Sequence, residues 1–234
     1  MNKEVGICLA LDNMSAENAL RLTREVGRRC YAVKIHSLYH AEGGSIVGKL
    51  RNAGAPRVWV DVKLHDTPET VAESMTRLNH HGVHIVTVHA AGMLGMMQAA
   101  VNHLVLSSGP RTAVWAVTML TSISQNDVER DCGTLKTIRD IVLGRALMAR
   151  DAGLGGIVCS PQEIHMLAKH PDLKGMALAV TGIRPPDMDV GGHKRVGTLR
   201  QTIEDGATHV VIGREITEAE DPVEAFDALV ATIN

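Results

Sequence analysis

The chain has 234 residues, of which 45% are hydrophobic, and its formal net charge of −2 comes from 24 basic and 26 acidic residues. This composition predicts a globular protein with a sizeable core and excludes an intrinsically disordered chain. The nearly balanced charge provides no basic surface for nucleic acid or for an anionic membrane. The apolar runs are shorter than the roughly 20 residues that cross a bilayer, and no signal peptide precedes them. We therefore expect a cytoplasmic protein with neither a membrane nor a nucleic-acid partner.

Short apolar runs recur along the chain, and each is followed by a stretch with helical periodicity. They lie near residues 5–11, 30–35, 58–63, 84–89, 112–119, 155–159, 176–181 and 208–213. The runs are apolar almost throughout, which is typical of parallel strands that are buried on both faces. Eight such βα units predict a single-domain (β/α)8 barrel over residues 1–234. An open doubly wound sheet is less favoured, because the first turn lacks a Gly-rich motif.

One helix has a clear predicted start. Thr67 is a suitable N-cap, Pro68 suits the first helical position, and Glu69 falls in the first turn. Asp66 therefore lies between the carboxyl end of a strand and the beginning of a helix. In barrels of this kind the loops at that end of the strands build the active site.

Charged residues stand at the ends of several predicted strands. Lys34 ends the second strand, and Asp61 and Lys63 end the third, two residues apart, so their side chains should point the same way. A lysine at the end of a buried strand needs an opposite charge beside it. We predict an alternating network of Lys34, Asp61, Lys63 and Asp66. Since opposite charges in contact interact by roughly 4 kcal/mol at an effective dielectric constant of about 20, the network would keep Lys63 protonated as a proton donor.

Two further segments are typical of anion sites. Arg184 follows the seventh strand in the segment VTGIRP, and Gly213 with Arg214 follows the eighth strand in VVIGREIT. Phosphate commonly binds after these two strands, because backbone N–H groups and arginine side chains converge on it there. The histidines form no metal-ligand pattern with cysteines or carboxylates, so no metal site is predicted.

The segment DVKLHDTPET resembles the DxKxxDxxxT signature of the orotidine 5′-monophosphate decarboxylase family. Further segments resemble the bacterial form of that family in the same order: LALD, VKIH, VTVHAAG, AVTMLTS, IVCSPQE, VTGIRP, GGHKRVGT and VIGREITEAEDP. The resemblance covers nearly the whole chain, and the ordered set is far more specific than DxKxxD alone. It implies a carboxy-lyase that converts orotidine 5′-monophosphate to UMP in pyrimidine synthesis, without a cofactor.

The resemblance also implies a role for each site residue. Asp12 would bind the ribose or the base region, Lys34 would hold the ribose hydroxyls and orient Asp61, and Lys63 would protonate C6. Asp66 and Thr70 would reach into a neighbouring subunit, which implies a homodimer with shared active sites.

The remaining roles concern the base and the phosphate. Thr121 would mark the loop that recognises the base, and Arg184, Gly213 and Arg214 would hold the phosphate. The loop from Pro185 to Thr198 is a candidate lid.

This chain departs from the family pattern near the lid. Members usually read VTPGIRP, so the proline between Thr181 and Gly182 is missing here, and His193 stands where a glutamine would bridge phosphate and base. Two alternatives remain at this point. One is a magnesium-dependent sugar-phosphate enzyme of the same superfamily, such as hexulose-phosphate synthase, although such enzymes typically carry a glutamate where this chain has Lys34. The other is a nucleotide-binding barrel without activity.

Overall fold

The computed structural model describes residues 5–102, 112–184 and 192–233. Eight parallel strands form a closed barrel in sequence order, and the last strand pairs with the first. The strands are β1 (Gly6–Ala10), β2 (Ala32–Ile35), β3 (Val58–Leu64), β4 (Ile85–His89), β5 (Ala113–Val117), β6 (Gly156–Cys159), β7 (Ala177–Val180) and β8 (His209–Ile212). Each strand coincides with one of the predicted apolar runs, and the predicted (β/α)8 barrel is therefore confirmed.

Helices follow the strands along the chain. Those of the described residues are α1 (Ala16–Glu25), α2 (Ser37–Glu42), α3 (Ser45–Asn52), α4 (Pro68–His80), α5 (Met93–Asn102), α6 (Gln125–Cys132), α7 (Ile138–Asp151), α8 (Ile164–Lys169), α9 (Leu199–Glu204), α10 (Arg214–Thr217) and α11 (Pro222–Ala231). Short 3₁₀ turns occur at Gly27–Arg29, Ala90–Gly92 and Pro171–Leu173. None of the helices described is long and apolar enough to span a membrane.

Helix α4 begins as the sequence predicts. The hydroxyl of Thr67 accepts a hydrogen bond from the backbone N–H of Thr70, and Pro68 occupies the first turn. This cap satisfies one of the N–H groups that a helix start leaves without an intrahelical partner. The cap fixes where the chain leaves β3, and with it the position of the loop that carries Asp66.

Side chains of the strands alternate between two apolar cores. In β1, Ile7 and Leu9 point outward and pack in the core between barrel and helices, whereas Cys8 and Ala10 point into the barrel. This alternation follows from the two-residue period of a strand. Because both faces are covered, the strands have no polar face, which explains the continuous apolar runs in the sequence.

The barrel interior is filled by small residues and two tryptophans. Trp59 and Trp115 pack edge to face with ring centroids 4.9 Å apart, and His209 lies 5.0 Å from Trp115. The chain has only two tryptophans, and both are buried in this inner core. A barrel of eight strands is just wide enough to be filled by side chains.

Candidate active site

A cavity of about 630 Å³ opens at the carboxyl ends of the strands, which is the size of a small-molecule site. Nine of the predicted site residues line it, namely Asp12, Lys34, Asp61, Lys63, Thr121, Arg184, His193, Gly213 and Arg214. They come from distant parts of the sequence and meet because all parallel strands of a barrel end on one side. Asp66 and Thr70 do not line the cavity and are exposed in the single chain.

Four charged side chains form a continuous network in this cavity. Asp61 Oδ2 lies 2.8 Å from Lys63 Nζ and 3.2 Å from Lys34 Nζ, and Lys34 Nζ also lies 2.7 Å from Asp12 Oδ2. The charges alternate as the sequence predicts. Within one chain, however, Asp12 occupies the fourth place, where the sequence suggested Asp66.

Burial and charge act in opposite directions on the ionisation of this network. Burial favours the neutral form of Lys34, but Asp61 and Asp12 outweigh it and raise the pKa of the ammonium. Burial likewise favours the neutral form of Asp61, but Lys34 and Lys63 outweigh it and lower the pKa of the carboxyl. Asp61 is therefore a carboxylate and Lys34 an ammonium at neutral pH.

Exposure divides the two lysines into different classes. The side chain of Lys34 is 5% exposed, whereas that of Lys63 is 30% exposed. A lysine that gives up a proton in each reaction cycle must regain it, and contact with solvent allows this. Lys34 is enclosed and suited to a fixed structural charge, whereas Lys63 is suited to proton transfer.

The approach of Lys63 to Asp61 depends on an irregularity in β3. The register of β3 against β4 shifts between Val60 and Leu64, and Lys63 has a left-handed backbone with φ of 51°. Regular strand alternation, which the sequence suggested, is therefore not what brings the pair together. A left-handed conformation costs a non-glycine residue roughly 1–2 kcal/mol, so surrounding contacts must hold it.

Thr87 on β4 supplies the contacts that hold this irregularity. Its hydroxyl donates to Asp61 Oδ1 at 2.7 Å and accepts from the backbone N–H of Lys63 at 3.1 Å. One buried hydroxyl thus fixes both members of the pair. Thr87 is not among the site residues predicted from the sequence, although a threonine inside the otherwise apolar run IVTV was a signal that could have identified it.

Asp12 has one carboxylate oxygen engaged and one available. Oδ2 pairs with Lys34, while no donor among the described residues reaches the buried Oδ1 atom. A buried carboxylate oxygen without a donor is unfavourable, so it is a place where a hydroxyl of a bound molecule would be stabilised. This geometry is compatible with the ribose contact that the resemblance implies.

The part of the cavity where the loops after β5, β7 and β8 meet carries positive charge, in contrast to the alternating charges around Asp61. Thr121 Oγ1 and His193 Nδ1 form a hydrogen bond. Burial, followed by the positive charges of Arg184 and Arg214, lowers the pKa of His193. The lowered pKa favours the neutral imidazole of His193 at pH 7, and the two arginines supply the positive charge for an anion.

The shortened turn after β7 requires a glycine. Gly182 has a φ of 84°, and a Cβ at this position would lie 3.1 Å from the carbonyl oxygen of Arg195. The turn is held by backbone bonds to the returning segment, including Arg184 N–H to Gly197 O at 3.0 Å. The missing proline thus leaves a turn that is closed by backbone contacts. Of the predicted lid, Pro185 to Thr198, residues 185–191 lie outside the described residues.

Asp66 lies in the loop between β3 and α4, and Thr70 lies in the first turn of α4. Asp66 Oδ1 accepts from the backbone N–H of Thr67 at 2.6 Å, and the Thr70 hydroxyl bonds to that of Thr67. Within the described part of one chain, neither residue contacts the network around Asp61. Their service in a neighbouring subunit stays a prediction. No group of three or more His, Cys, Asp or Glu residues in the described ranges is arranged to hold a metal ion.

Comparisons with known proteins agree with this geometry. A protein of Erythrobacter litoralis named orotidine 5′-phosphate decarboxylase is 40% identical over 228 residues, which cover 97% of this chain and 98% of the relative. A protein of the same name from Syntrophomonas wolfei is 39% identical, with 96% of each chain covered. The crystal structure of orotidine 5′-phosphate decarboxylase from Lactobacillus acidophilus superposes with a TM-score of 0.83 and 28% identity, covering 99% of this chain and 100% of that chain.

The model of one protein family matches almost the full length of the chain. It spans residues 6–229, which include all eight strands, and it carries the description orotidine 5′-phosphate decarboxylase / HUMPS family. This chain therefore belongs to the orotidine 5′-phosphate decarboxylase / HUMPS family.

Proposed function

We propose that this protein decarboxylates orotidine 5′-monophosphate to UMP, the last step of the de novo synthesis of UMP. The names of its relatives support the reaction. The observation that carries the proposal is the network at the barrel mouth, in which the ammonium of Lys63 lies 2.8 Å from the buried carboxylate of Asp61. Both project into the cavity whose wall also contains Arg184 and Arg214.

The chemistry explains why a fixed ammonium is needed. When the bond between C6 and the carboxylate breaks, CO2 leaves and the electron pair stays on C6. No carbonyl or imine is conjugated with that pair, so it must be stabilised electrostatically. The ammonium of Lys63 would stabilise the developing charge and then transfer one proton to C6, giving UMP and a neutral amine. Solvent would return the proton through the exposed part of the side chain.

Asp61 and Lys34 would prepare this step without taking part in proton transfer. Asp61 holds the Lys63 ammonium in place and would face the departing carboxylate, where like charges disfavour the bound substrate. Lys34 keeps Asp61 ionised and would contact the ribose hydroxyls together with Asp12. The binding energy of these parts, which lie away from C6, would orient the ring.

The phosphate would bind at the basic part of the cavity. Arg184 and Arg214 would form charge-assisted hydrogen bonds to its oxygens, with the backbone at Gly213 close by. Thr121 and His193 would lie between the phosphate and the base. A neutral imidazole donates one hydrogen bond, so His193 would supply part of what a glutamine amide offers.

We further propose that the active unit is a homodimer. Asp66 and Thr70 are polar and exposed, and neither lines the cavity of its own chain. Their exposure leaves them accessible to a second chain, and in a dimer each would complete the site of the partner subunit. A free nucleotide of pyrimidine synthesis as substrate also supports a cytoplasmic location.

A magnesium-dependent sugar-phosphate reaction is the alternative within the family. Its metal would need carboxylates at the strand ends, and Asp12 and Asp61 are the carboxylates in question. Lys34 Nζ lies between them, 2.7 Å from one and 3.2 Å from the other. The position that a divalent cation would take is thus occupied by an ammonium, which favours the pyrimidine reaction.

The loss of orotidine 5′-monophosphate absorbance, followed with purified protein in the presence of a chelator, tests the proposal. Turnover that Lys63→Ala abolishes would support it. No turnover together with tight binding of UMP would favour a nucleotide-binding barrel. Turnover that requires magnesium and a sugar phosphate would favour the alternative enzyme.

A further inference from the structure

A buried arginine lies directly behind the wall of the active-site cavity. Arg195 is 4% exposed, and its Nε lies 3.2 Å from Glu163 Oε1, which is also buried. Neither residue lines the cavity. An ion pair removed from water is costly unless further hydrogen bonds compensate both charges. The structure provides those bonds, and they all run to loops of the active site.

The guanidinium of Arg195 joins three loops. Its Nη1 donates to the carbonyl oxygens of Leu120 and Ile123 at 3.2 and 2.5 Å, and its Nη2 donates to that of Met119 at 3.3 Å. Its Nε lies 3.4 Å from Ser160 Oγ. The loop after β5, the loop after β6 and the segment 192–198 are therefore connected through one side chain.

Glu163 is itself fixed by the loop after β6. Its carboxylate accepts from the backbone N–H of Ser160 at 3.3 Å and from the Ser160 hydroxyl. Ser160 is completely buried. The carboxylate is thus held in a single orientation toward Arg195, so the pair is preorganised rather than adjustable.

The backbone of the same segment grips Thr121 directly. The N–H groups of Lys194 and Arg195 both donate to the carbonyl oxygen of Thr121, at 2.9 and 3.2 Å. The guanidinium holds the residues on either side of Thr121, and the backbone holds Thr121 itself. Two residues before Arg195, His193 bonds to the Thr121 hydroxyl inside the cavity.

From these contacts we infer that Arg195, paired with Glu163, is a positioning residue that fixes the Thr121–His193 pair for recognition of the base of the substrate. The inference rests on the proposed function. A guanidinium presents five N–H donors in a rigid plane, and its bonds here diverge to four acceptors on two loops. A lysine could keep the ion pair with Glu163 but could not reach all these oxygens. Charge alone would therefore not replace Arg195.

The first test compares the kinetic effect of replacing Arg195 with that of replacing an exposed basic residue. Arg195→Lys should raise KM for orotidine 5′-monophosphate, with a loss of kcat/KM on the order of 100-fold, the scale of a misplacement of about 1 Å, and a smaller change in kcat. The control is Arg200→Lys, because Arg200 is exposed on α9 and its Nε pairs with Glu204 Oε1 of the same helix at 3.1 Å. We expect this control to stay close to wild type. Equal KM values for wild type and Arg195→Lys would overturn the inference.

A double-mutant cycle separates positioning from general destabilisation. In a Thr121→Ala, His193→Ala background the pair that Arg195 positions is gone, so adding Arg195→Lys should change kcat/KM by less than threefold. If the substitution costs the same factor in this background as in wild type, Arg195 acts elsewhere and the inference fails. Should Arg195→Lys not fold, Glu163→Gln serves in its place, with a smaller rise in KM expected.

Amide hydrogen exchange tests the same idea without any turnover. In Arg195→Lys the backbone amides at positions 194 and 195, and those of residues 119–123, should lose protection from exchange, while the amides of strand β1 keep theirs. Unchanged protection at these loops would overturn the inference even in an active enzyme. A wild-type protein that does not turn over the nucleotide would instead refute the proposed function, and the exchange result would still decide the role of Arg195.

Discussion

Replacement of Thr87 by valine isolates the contact that holds the catalytic pair together. Thr87 is completely buried, and its hydroxyl both donates to Asp61 Oδ1 and accepts from the Lys63 N–H. Valine has nearly the same shape but no hydroxyl, so the substitution creates no cavity. It leaves the buried carboxylate oxygen of Asp61 and the partly buried N–H group of Lys63 without their partner.

The size of the effect follows from those two groups. A hydrogen bond to a charged group contributes about 1.5–3 kcal/mol, and a buried N–H without a partner costs about 1–3 kcal/mol. The additional methyl group offsets about 1 kcal/mol. We expect the free energy of unfolding to fall by roughly 1.5–5 kcal/mol. Because Lys63 also loses the contact that holds its left-handed backbone, kcat should fall on the order of 100-fold.

The effect should depend on pH with a defined sign. The pKa of Asp61 is lowered in the folded protein, so its ionisation contributes stability above the unfolded carboxyl pKa of about 3.9, and this contribution is lost as pH falls through the folded pKa. The Thr87 hydroxyl is one of the groups that lower this pKa. The stability difference between wild type and Thr87→Val should therefore be largest at neutral pH and smaller in acid.

Urea unfolding at neutral and acid pH measures the stability change, and decarboxylation assays measure kcat. The matched control is Thr118→Val, a buried threonine whose hydroxyl donates to Val158 O. That carbonyl also accepts the Thr118 N–H, so the control leaves no group without a partner. If Thr87→Val is no more destabilising than Thr118→Val and keeps its activity, Thr87 does not hold the pair and the reasoning is refuted.

Other predictions follow from the same site. Lys63→Ala should abolish decarboxylation while the protein stays folded by circular dichroism, and near-normal turnover would contradict its role. Inactive Lys63→Ala and Asp66→Ala subunits should regain partial activity when mixed, since one site of the mixed dimer is intact; a fully active monomer by light scattering would exclude shared sites. Arg214→Ala should lose roughly 2–5 kcal/mol of transition-state stabilisation, calculated from kcat/KM, and His193→Ala about 0.5–1.5 kcal/mol. The comparison fails if Arg214→Ala keeps normal kcat/KM. Because burial and two arginines lower the pKa of His193, the effect of His193→Gln on kcat/KM should be the same at about pH 7 and about pH 8, whereas an effect that grows as the pH falls between these values would indicate a protonated imidazole.

Much of the fold and of the candidate site could be predicted from the sequence because the responsible signals are local. Parallel strands covered on both faces read as continuous apolar runs, so eight runs with helices between them indicated the barrel. A closed barrel brings all carboxyl ends of its strands to one side, so polar residues at strand ends identified part of the cavity wall. Lys34, Asp61, Lys63 and Arg184 were found in this way.

The sequence could not identify which partner each of these residues contacts. Thr87 and Lys63 meet through a register shift that no periodicity reveals, because β3 departs from strand alternation at that point. Strand order alone did not reveal which further carboxylate would pair with Lys34, and within the chain this partner is Asp12. Arg195 lies in the polar segment GGHKRVGT, where it cannot be told from an exposed arginine.

The sequence by itself thus determined the strand order, the buried faces and several residues at the barrel mouth, since each follows from the pattern of a few neighbouring residues. The tertiary structure alone decided the pairing of Thr87 with Lys63 and of Arg195 with Glu163, residues separated by 24 and 32 positions along the chain. Such pairs form only when closure of the barrel brings distant loops into contact and removes water from them. Once these groups are buried, each of them needs its hydrogen-bond partner, because water can no longer replace it. Which groups are buried together depends on the folded chain.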